Sequence, residues 1–261
     1  MTISIESFLV DIDGTVYDGQ NKIPGAADAL ADLRRRGIPF LLVTNTSRMP
    51  MPAIMARLKS MRVEVSDHEV FAVPTAACDY IKRDAGDRCF VIGTPNIDAE
   101  LTEAGLTVVR TEEPVDFVVI SQYQWINFGE IDIAYRLIRS GAKPVAMHQD
   151  MTYPDNGVLR ASLGPVVAAL EALTGVTVTI VGKPNPTFFD LALARAGFSA
   201  DKTIVIGDNL DSDIRGALNA GLRAIQVQTG AYAATTTSNA ISPTWTLSSL
   251  ADLPRWLDTQ G

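Results

Sequence analysis

The sequence predicts an α/β fold in which a parallel sheet is interrupted by a second α/β domain. Three observations lead there. Short apolar runs alternate with amphipathic stretches near both ends of the chain, as strands joined by crossover helices do. A separate alternation of the same kind fills the middle of the chain. The length, 261 residues, exceeds what a single core usually serves.

Taken in order, Phe8 to Val10 is an apolar run ending in acid, and Ile38 to Val43 is a second. Between them, Pro24 to Arg36 reads as an amphipathic helix closed by Gly37, which completes a β-α-β unit with parallel strands. A further helix is expected over Pro52 to Met61, ahead of the apolar patch Val70 to Val73. In the middle, Cys89 to Ile92, Phe117 to Ile120 and Pro144 to Met147 read as strands, with helices over Glu130 to Arg139 and Pro165 to Leu173. Val178 to Val181, Thr203 to Ile206 and Ala224 to Val227 then resume the first pattern, with helices over Pro186 to Ala196 and Asp213 to Ala220. The expectation is a Rossmann-like doubly wound core of residues 1–79 and 179–261, carrying an inserted α/β domain over 80–178.

Composition narrows the functions open to such a fold. A formal net charge of −8 argues against nonspecific nucleic-acid or anionic-membrane binding, which calls for a basic surface. An acidic protein that binds phosphate needs a cation. The N-terminus shows no leader pattern, and no apolar run approaches the roughly 20 residues of a membrane span, so a cytoplasmic protein is expected. Cys78 and Cys89 lie outside any metal-ligand spacing and read as buried thiols. Disorder is expected only around Ala233 to Ser238.

Four fragments fall at the C-terminal ends of expected strands, where open parallel sheets place their ligand sites. Asp11-Ile12-Asp13-Gly14-Thr15 brings two carboxylates off a strand, with a glycine to allow a sharp departure. One can attack while the other handles protons. Val43-Thr44-Asn45-Thr46-Ser47 offers hydroxyl, amide and backbone donors for an anion, although alone it reads as a helix N-cap. Gly182-Lys183-Pro184-Asn185-Pro186 sets a lysine at a strand end, with prolines shaping the exit. Ile206 to Asp213 holds Asp208, Asp211 and Asp213, an acid density suited to a hard divalent cation. Asp211 and Asp213 also have the simpler reading of acids complementing a helix N-terminus.

Other phosphate and ester chemistries lack their signatures. There is no Gly-x-x-x-x-Gly-Lys-Ser/Thr loop, no strand-following Gly-x-Gly-x-x-Gly and no Gly-x-Ser-x-Gly elbow. His68 and His148 show no metal-ligand spacing.

The four fragments, in this order, resemble the four motifs of the haloacid dehalogenase superfamily of aspartate-based phosphatases. The wide gap before the lysine fragment resembles its NagD-like branch, whose members carry a large α/β cap there. Pro24-Gly25-Ala26, Gly164-Pro165, Val181-Gly182-Lys183-Pro184 and Gln228-Thr229-Gly230 add to the likeness. The resemblance implies Asp11 as nucleophile, Asp13 as acid/base, Thr44 and Asn45 as phosphate binders, and Lys183 as a charge bridge. It implies Mg2+ held by Asp11, the Asp13 backbone carbonyl and Asp208. Asp213 is taken as a supporting site residue. Thr46 departs from the asparagine of many relatives, and Asp211 stands in a variable slot.

By the same resemblance, Asp13 separates phosphatases from dehalogenases, which lack this second acid because they have no leaving alkoxide to protonate. A phosphomutase or phosphotransferase would keep both acids, and a non-catalytic binding module would lose at least one charged site residue. The expected substrate is a small phosphorylated metabolite: a nucleotide, a sugar phosphate or a phosphoglycolate-type ester. The inserted domain would set specificity. Its long polar segment His148 to Ser162, with Asp150, Tyr153, Asp155 and Arg160, is the candidate contact. Relatives dimerise through the cap, so a homodimer is expected on the same ground.

Overall fold

The computed structural model describes residues 5–84, 87–122, 125–155, 158–232 and 241–260. The stretch Ala233 to Ser238 lies outside them. The chain opens with β1 (Ser7–Asp11), a hairpin of β2 (Tyr17–Asp18) and β3 (Asn21–Lys22), helix α1 (Ala26–Arg35) and β4 (Phe40–Thr44). Helix α2 (Met51–Ser60) leads to β5 (Val70–Ala72) and α3 (Val73–Arg83). Next come β6 (Arg88–Ile92), α4 (Pro95–Glu103), β7 (Thr107–Val109), β8 (Phe117–Ile120), α5 (Phe128–Arg139) and β9 (Lys143–Ala146). A second hairpin, β10 (Thr152–Asp155) and β11 (Val158–Ala161), precedes α6 (Gly164–Thr174) and β12 (Thr179–Ile180). The chain then runs through α7 (Pro186–Ala196), β13 (Thr203–Gly207), α8 (Arg215–Asn219), β14 (Arg223–Val227), β15 (Trp245–Leu247) and α9 (Leu253–Asp258).

These elements form two compact units. The first comprises Met1–Thr44, Met51–Phe71 and Lys183–Gly261; the second comprises Asn45–Pro50 and Ala72–Gly182. Sequence reading put the borders at 79/80 and 178/179; by contacts α3 and the short segment Asn45–Pro50 group with the second unit.

The first unit is a six-stranded sheet in the order β15-β14-β13-β1-β4-β5. The chain winds outward from β1 through β4 to β5, then returns to the other side of β1 through β13, β14 and β15. This reversal creates a switch point at β1, the place where doubly wound sheets open a ligand crevice. The pairings of β1 with β13 and β4, and of β14 with β13 and β15, are parallel. Buried on both faces, β1 and β13 carry apolar runs without alternation; Phe8, Leu9, Val10, Ile204, Val205 and Ile206 are wholly inaccessible. Burial of each such side chain is worth about 1.5–3 kcal/mol. A hydrogen bond between the hydroxyls of Ser7 and Thr203, 2.8 Å, pins the start of the β1–β13 register. That register brings Val10 level with Ile206, so the strands release their chains at one edge.

The second unit has its own five-stranded sheet, β12-β9-β8-β6-β7, parallel throughout. Its core joins Phe90, Ile92, Val118 and Ile120 of the strands to Leu137, Leu163, Val167 and Leu170 of the helices. The structure corrects two expectations here. The run Val178 to Val181, read as a strand of the first sheet, supplies β12, which pairs with β9 at the edge of the second. Val178 and Ile180 pack into the second core, and an apolar strand carries no local mark of which sheet will bury it. The segment His148 to Ser162, read as a polar connection, contains the antiparallel pair β10–β11. Both cysteines are buried, as expected. Among the described residues no helix is long and apolar enough to cross a membrane.

Candidate active site

At the C-terminal edge of the first sheet, β1 ends on Asp11 and the chain turns sharply. The Ile12 carbonyl accepts the amides of Val16 and Tyr17 at 2.8 and 3.2 Å, and the Gly14 amide donates to the Tyr17 carbonyl at 2.6 Å. Gly14 has φ +86, and a β-carbon there would lie 2.1 Å from Asp208 Oδ2. Only glycine lets this turn approach the end of β13 so closely. Asp13 leaves the turn exposed to solvent, and the Thr44 hydroxyl, at the end of neighbouring β4, donates to its Oδ2 at 3.3 Å.

The end of β13 supplies the other acids. After Gly207 and Asp208, Asn209 caps a π-helical turn over Leu210–Ile214, its side chain accepting the Asp211 and Ser212 amides at 2.9 and 3.1 Å. The turn carries Asp213 back beneath the strand end, where Oδ2 accepts the Asn209 amide at 3.1 Å. Gly207 is required there, since a β-carbon would lie 2.4 Å from that of Asp213. Asp211 points away and pairs with Arg215 at 2.6 Å on the surface, which leaves it the role of complementing the helix start.

Lys183 joins the two halves. Its ammonium donates to Asp11 Oδ1 in a short contact, and to Asp213 Oδ1 at 2.6 Å. Asp11, Lys183, Asp208 and Asp213 are 4%, 3%, 3% and 1% exposed, and one carboxylate oxygen from each of the three acids lies within 4.8 Å of the others.

Burying this much charge perturbs it. Desolvation, together with the neighbouring Asp213, holds the Asp11 carboxyl well above the ordinary carboxylate range despite the opposing pull of Lys183. Desolvation and Asp213 likewise push Asp208 up to about 7. Burial works against the Lys183 ammonium, but Asp11 and Asp213 outweigh it and raise its pKa.

These residues fit a divalent cation. Three buried carboxylates facing one ammonium carry an excess of two negative charges, and all the donors are hard oxygens.

The structure therefore brings Asp11, Lys183, Asp208 and Asp213 together, with Asp13 and Thr44 linked beside them. Asn45, His148, Asp150 and Arg160 belong to the second unit. A β-carbon on Gly182 would lie 2.8 Å from the Asn45 amide oxygen. His148 is buried, its Nδ1 3.2 Å from Asp150 Oδ2 without hydrogen-bond alignment; Arg160 is exposed on β11.

Sequence reading gave Asp213 only a supporting place, because an acid at a helix start has a simpler explanation. It also passed over Arg57, whose guanidinium stacks 4.6 Å from the Tyr17 ring centroid and donates to the Gly19 carbonyl, fastening the β2–β3 hairpin to α2. Nothing in the spacing of Tyr17 and Arg57 signals that contact.

Comparison with known proteins shows the family. The model of haloacid dehalogenase-like hydrolases matches residues 8–107, and a second, HAD-hydrolase-like model matches 180–253. Acid sugar phosphatase of Staphylococcus aureus is 32% identical over 226 residues, spanning 86% of this chain and 87% of its own. NagD from E. coli K-12 superposes with a TM-score of 0.86 at 28% identity, covering 95% of this chain and 98% of its own. Glycerol phosphate phosphatase from Mycobacterium tuberculosis, solved in complex with magnesium, is 32% identical with a TM-score of 0.84, covering 96% of this chain and 76% of its own.

Proposed function

The chain belongs to the haloacid dehalogenase-like hydrolases, as a phosphatase of their NagD-like branch, and from that premise we propose that it hydrolyses a small phosphomonoester through an aspartyl-phosphate on Asp11, with magnesium as cofactor. The observation that carries the reading is the buried Asp11–Lys183–Asp213 array with Asp208 beside it. Such an arrangement is costly to bury and serves no packing purpose, so its reason is chemical.

Asp11, at the end of a rigid strand, presents a carboxylate oxygen to phosphorus. Attack forms the Asp11–phosphorus bond and breaks the bond to the ester oxygen, dividing one hard displacement into two easier ones. Asp13, reaching solvent and held by Thr44, gives its proton to the departing alkoxide, then takes one from the water that attacks the phosphorus of the intermediate. Lys183 holds Asp11 in place and offsets the repulsion between its charge and the phosphate. Asp11, the Asp13 carbonyl and Asp208 would hold magnesium, with Asp213 behind them; when bound, magnesium supplies charge neutralisation to the phosphate oxygens. Thr44 and Asn45 would bind those oxygens.

For the substrate, the names of two relatives, acid sugar phosphatase and glycerol phosphate phosphatase, favour a sugar or polyol phosphate over a nucleotide. We assign recognition of the group beyond the phosphate to the second unit, with His148, Asp150 and Arg160 as candidates. The test is a panel of sugar, polyol, nucleotide and phosphoglycolate-type esters assayed with magnesium and with a chelator. Phosphate release that depends on magnesium and favours sugar or polyol esters is expected. Release undiminished by the chelator would overturn the metal reading, and phosphate appearing on a sugar acceptor would make the chain a phosphotransferase.

A further inference from the structure

The segment after β14, Gln228-Thr229-Gly230-Ala231, has no part in the chemistry above, yet it touches the site three times. The Thr229 hydroxyl donates to the Gly14 carbonyl at 2.6 Å, tying the segment to the turn that carries Asp13. The Ala231 amide donates to Asp208 Oδ2 at 2.5 Å. Between them Gly230, at φ +54, is pressed against both: a β-carbon on it would lie 2.3 Å from Asp208 Oδ2 and 2.4 Å from the α-carbon of Gly14. One strand earlier in the path, the buried Gln226 side chain donates to the Asp208 carbonyl at 3.2 Å. Asp208 is thus gripped at its backbone and at one carboxylate oxygen by a single stretch of chain, and that stretch is anchored on the β1 turn.

We propose that Thr229-Gly230-Ala231 is a positioning element that fixes the orientation of the Asp208 carboxylate and so sets the preference for magnesium over larger divalent cations. The inference rests on the magnesium reading above. Magnesium demands near-ideal octahedral geometry, whereas calcium accepts varied geometry and longer bonds, so a misplaced ligand penalises magnesium more. Any side chain at 230 must push Asp208 or the Gly14 turn aside. Loss of the Thr229 hydroxyl leaves the segment room to drift.

The experiment is calorimetric titration of the full chain with magnesium and with calcium, in the absence of substrate. Gly230→Ala is expected to weaken magnesium binding by about tenfold or more, the usual range for disturbing a residue that orients a metal ligand, and calcium binding by less. Thr229→Val should move in the same direction by a smaller factor, and Thr229→Ser should restore the parent ratio. Thr229→Val carries the test if Gly230→Ala does not fold. Parent-like magnesium affinity in both variants, or equal losses for both cations, overturns the inference. Asp208→Asn is run alongside: if it binds magnesium as the parent does, or if the parent binds none, the metal reading falls and takes this one with it.

Discussion

The two units are variations on one architecture with opposite chemistry at the same edge. Each is built around a parallel sheet whose strand order reverses near its middle, and each ends its strands in short polar segments. In the first, those ends are Asp11, Thr44 and Asp208, with Asp213 and Lys183 completing a buried charged array. In the second, β6, β8 and β9 run out into Gly93-Thr94, Ser121-Gln122 and Met147-His148. Every buried carboxylate and the buried lysine among the described residues lie in the first unit. The fold provides a place for a site, and the side chains at the strand ends decide whether it is used. In the second unit the corresponding strand ends carry no carboxylate and no lysine, and buried Ser121 Oγ has no hydrogen-bond partner among the described residues.

Substitutions can break that contrast from either side. The largest effect is expected from Asp11→Asn, which keeps the shape and removes the proposed nucleophile: turnover should fall by about 10⁴ or more, read as phosphate release from a sugar phosphate in magnesium. Lys183→Met follows. It leaves Asp11 and Asp213 without their buried partner, and denaturant unfolding should show a loss of about 3–5 kcal/mol along with nearly complete loss of turnover.

A smaller effect concerns the charge balance of the first unit. Asp208, pushed up to about 7 by burial and Asp213, is disfavoured in its charged form when no cation is bound. A carboxyl raised in the fold costs stability as pH climbs from its ordinary value through the raised one, and a cation that binds the charged form must displace the proton. The rise in Tm produced by magnesium should therefore be slight near about pH 5 and grow through about pH 7 and beyond, since Asp11 is raised as well. At a concentration about 100 times Kd it should reach roughly 5–10 °C. A magnesium-induced shift independent of pH would contradict this. The smallest effect belongs to the other unit. Ser121→Ala removes a buried hydroxyl that makes no bond among the described residues, so unfolding stability should change by less than about 0.5 kcal/mol and turnover hardly at all. A large loss of activity there would dissolve the contrast.

The parts of this site that were legible in the sequence are those that contradict their surroundings. Two acids and a glycine ending a wholly apolar run make no sense as core, so Asp11, Asp13 and Gly14 stood out. Asp208 did so for the same reason, at the end of Thr203–Gly207. The illegible parts have a bland local explanation or act only through space. Asp213 reads as a helix-start acid until the π-helical turn is seen to fold it onto Lys183. Thr229 and Gly230 add to the family likeness, but their contact with the site is not legible, because Gly14 is far away in the chain though adjacent in the fold. The strand at Thr179–Ile180 was visible as a strand, but its sheet was not, since that depends on which core has room for Val178 and Ile180. Edge strand β15, three half-buried or exposed residues, has too little pattern to find.

Transfer of the phosphoryl group to Asp11 ahead of water is tested most directly by acid-quenching the enzyme during turnover of a saturating phosphomonoester in magnesium and measuring the mass of the protein and its peptides. A fraction of the chain should carry one added phosphoryl group, mapped to the peptide containing Asp11 and absent from Asp11→Asn. An adduct on any other residue, or undiminished turnover by Asp11→Asn, would contradict it.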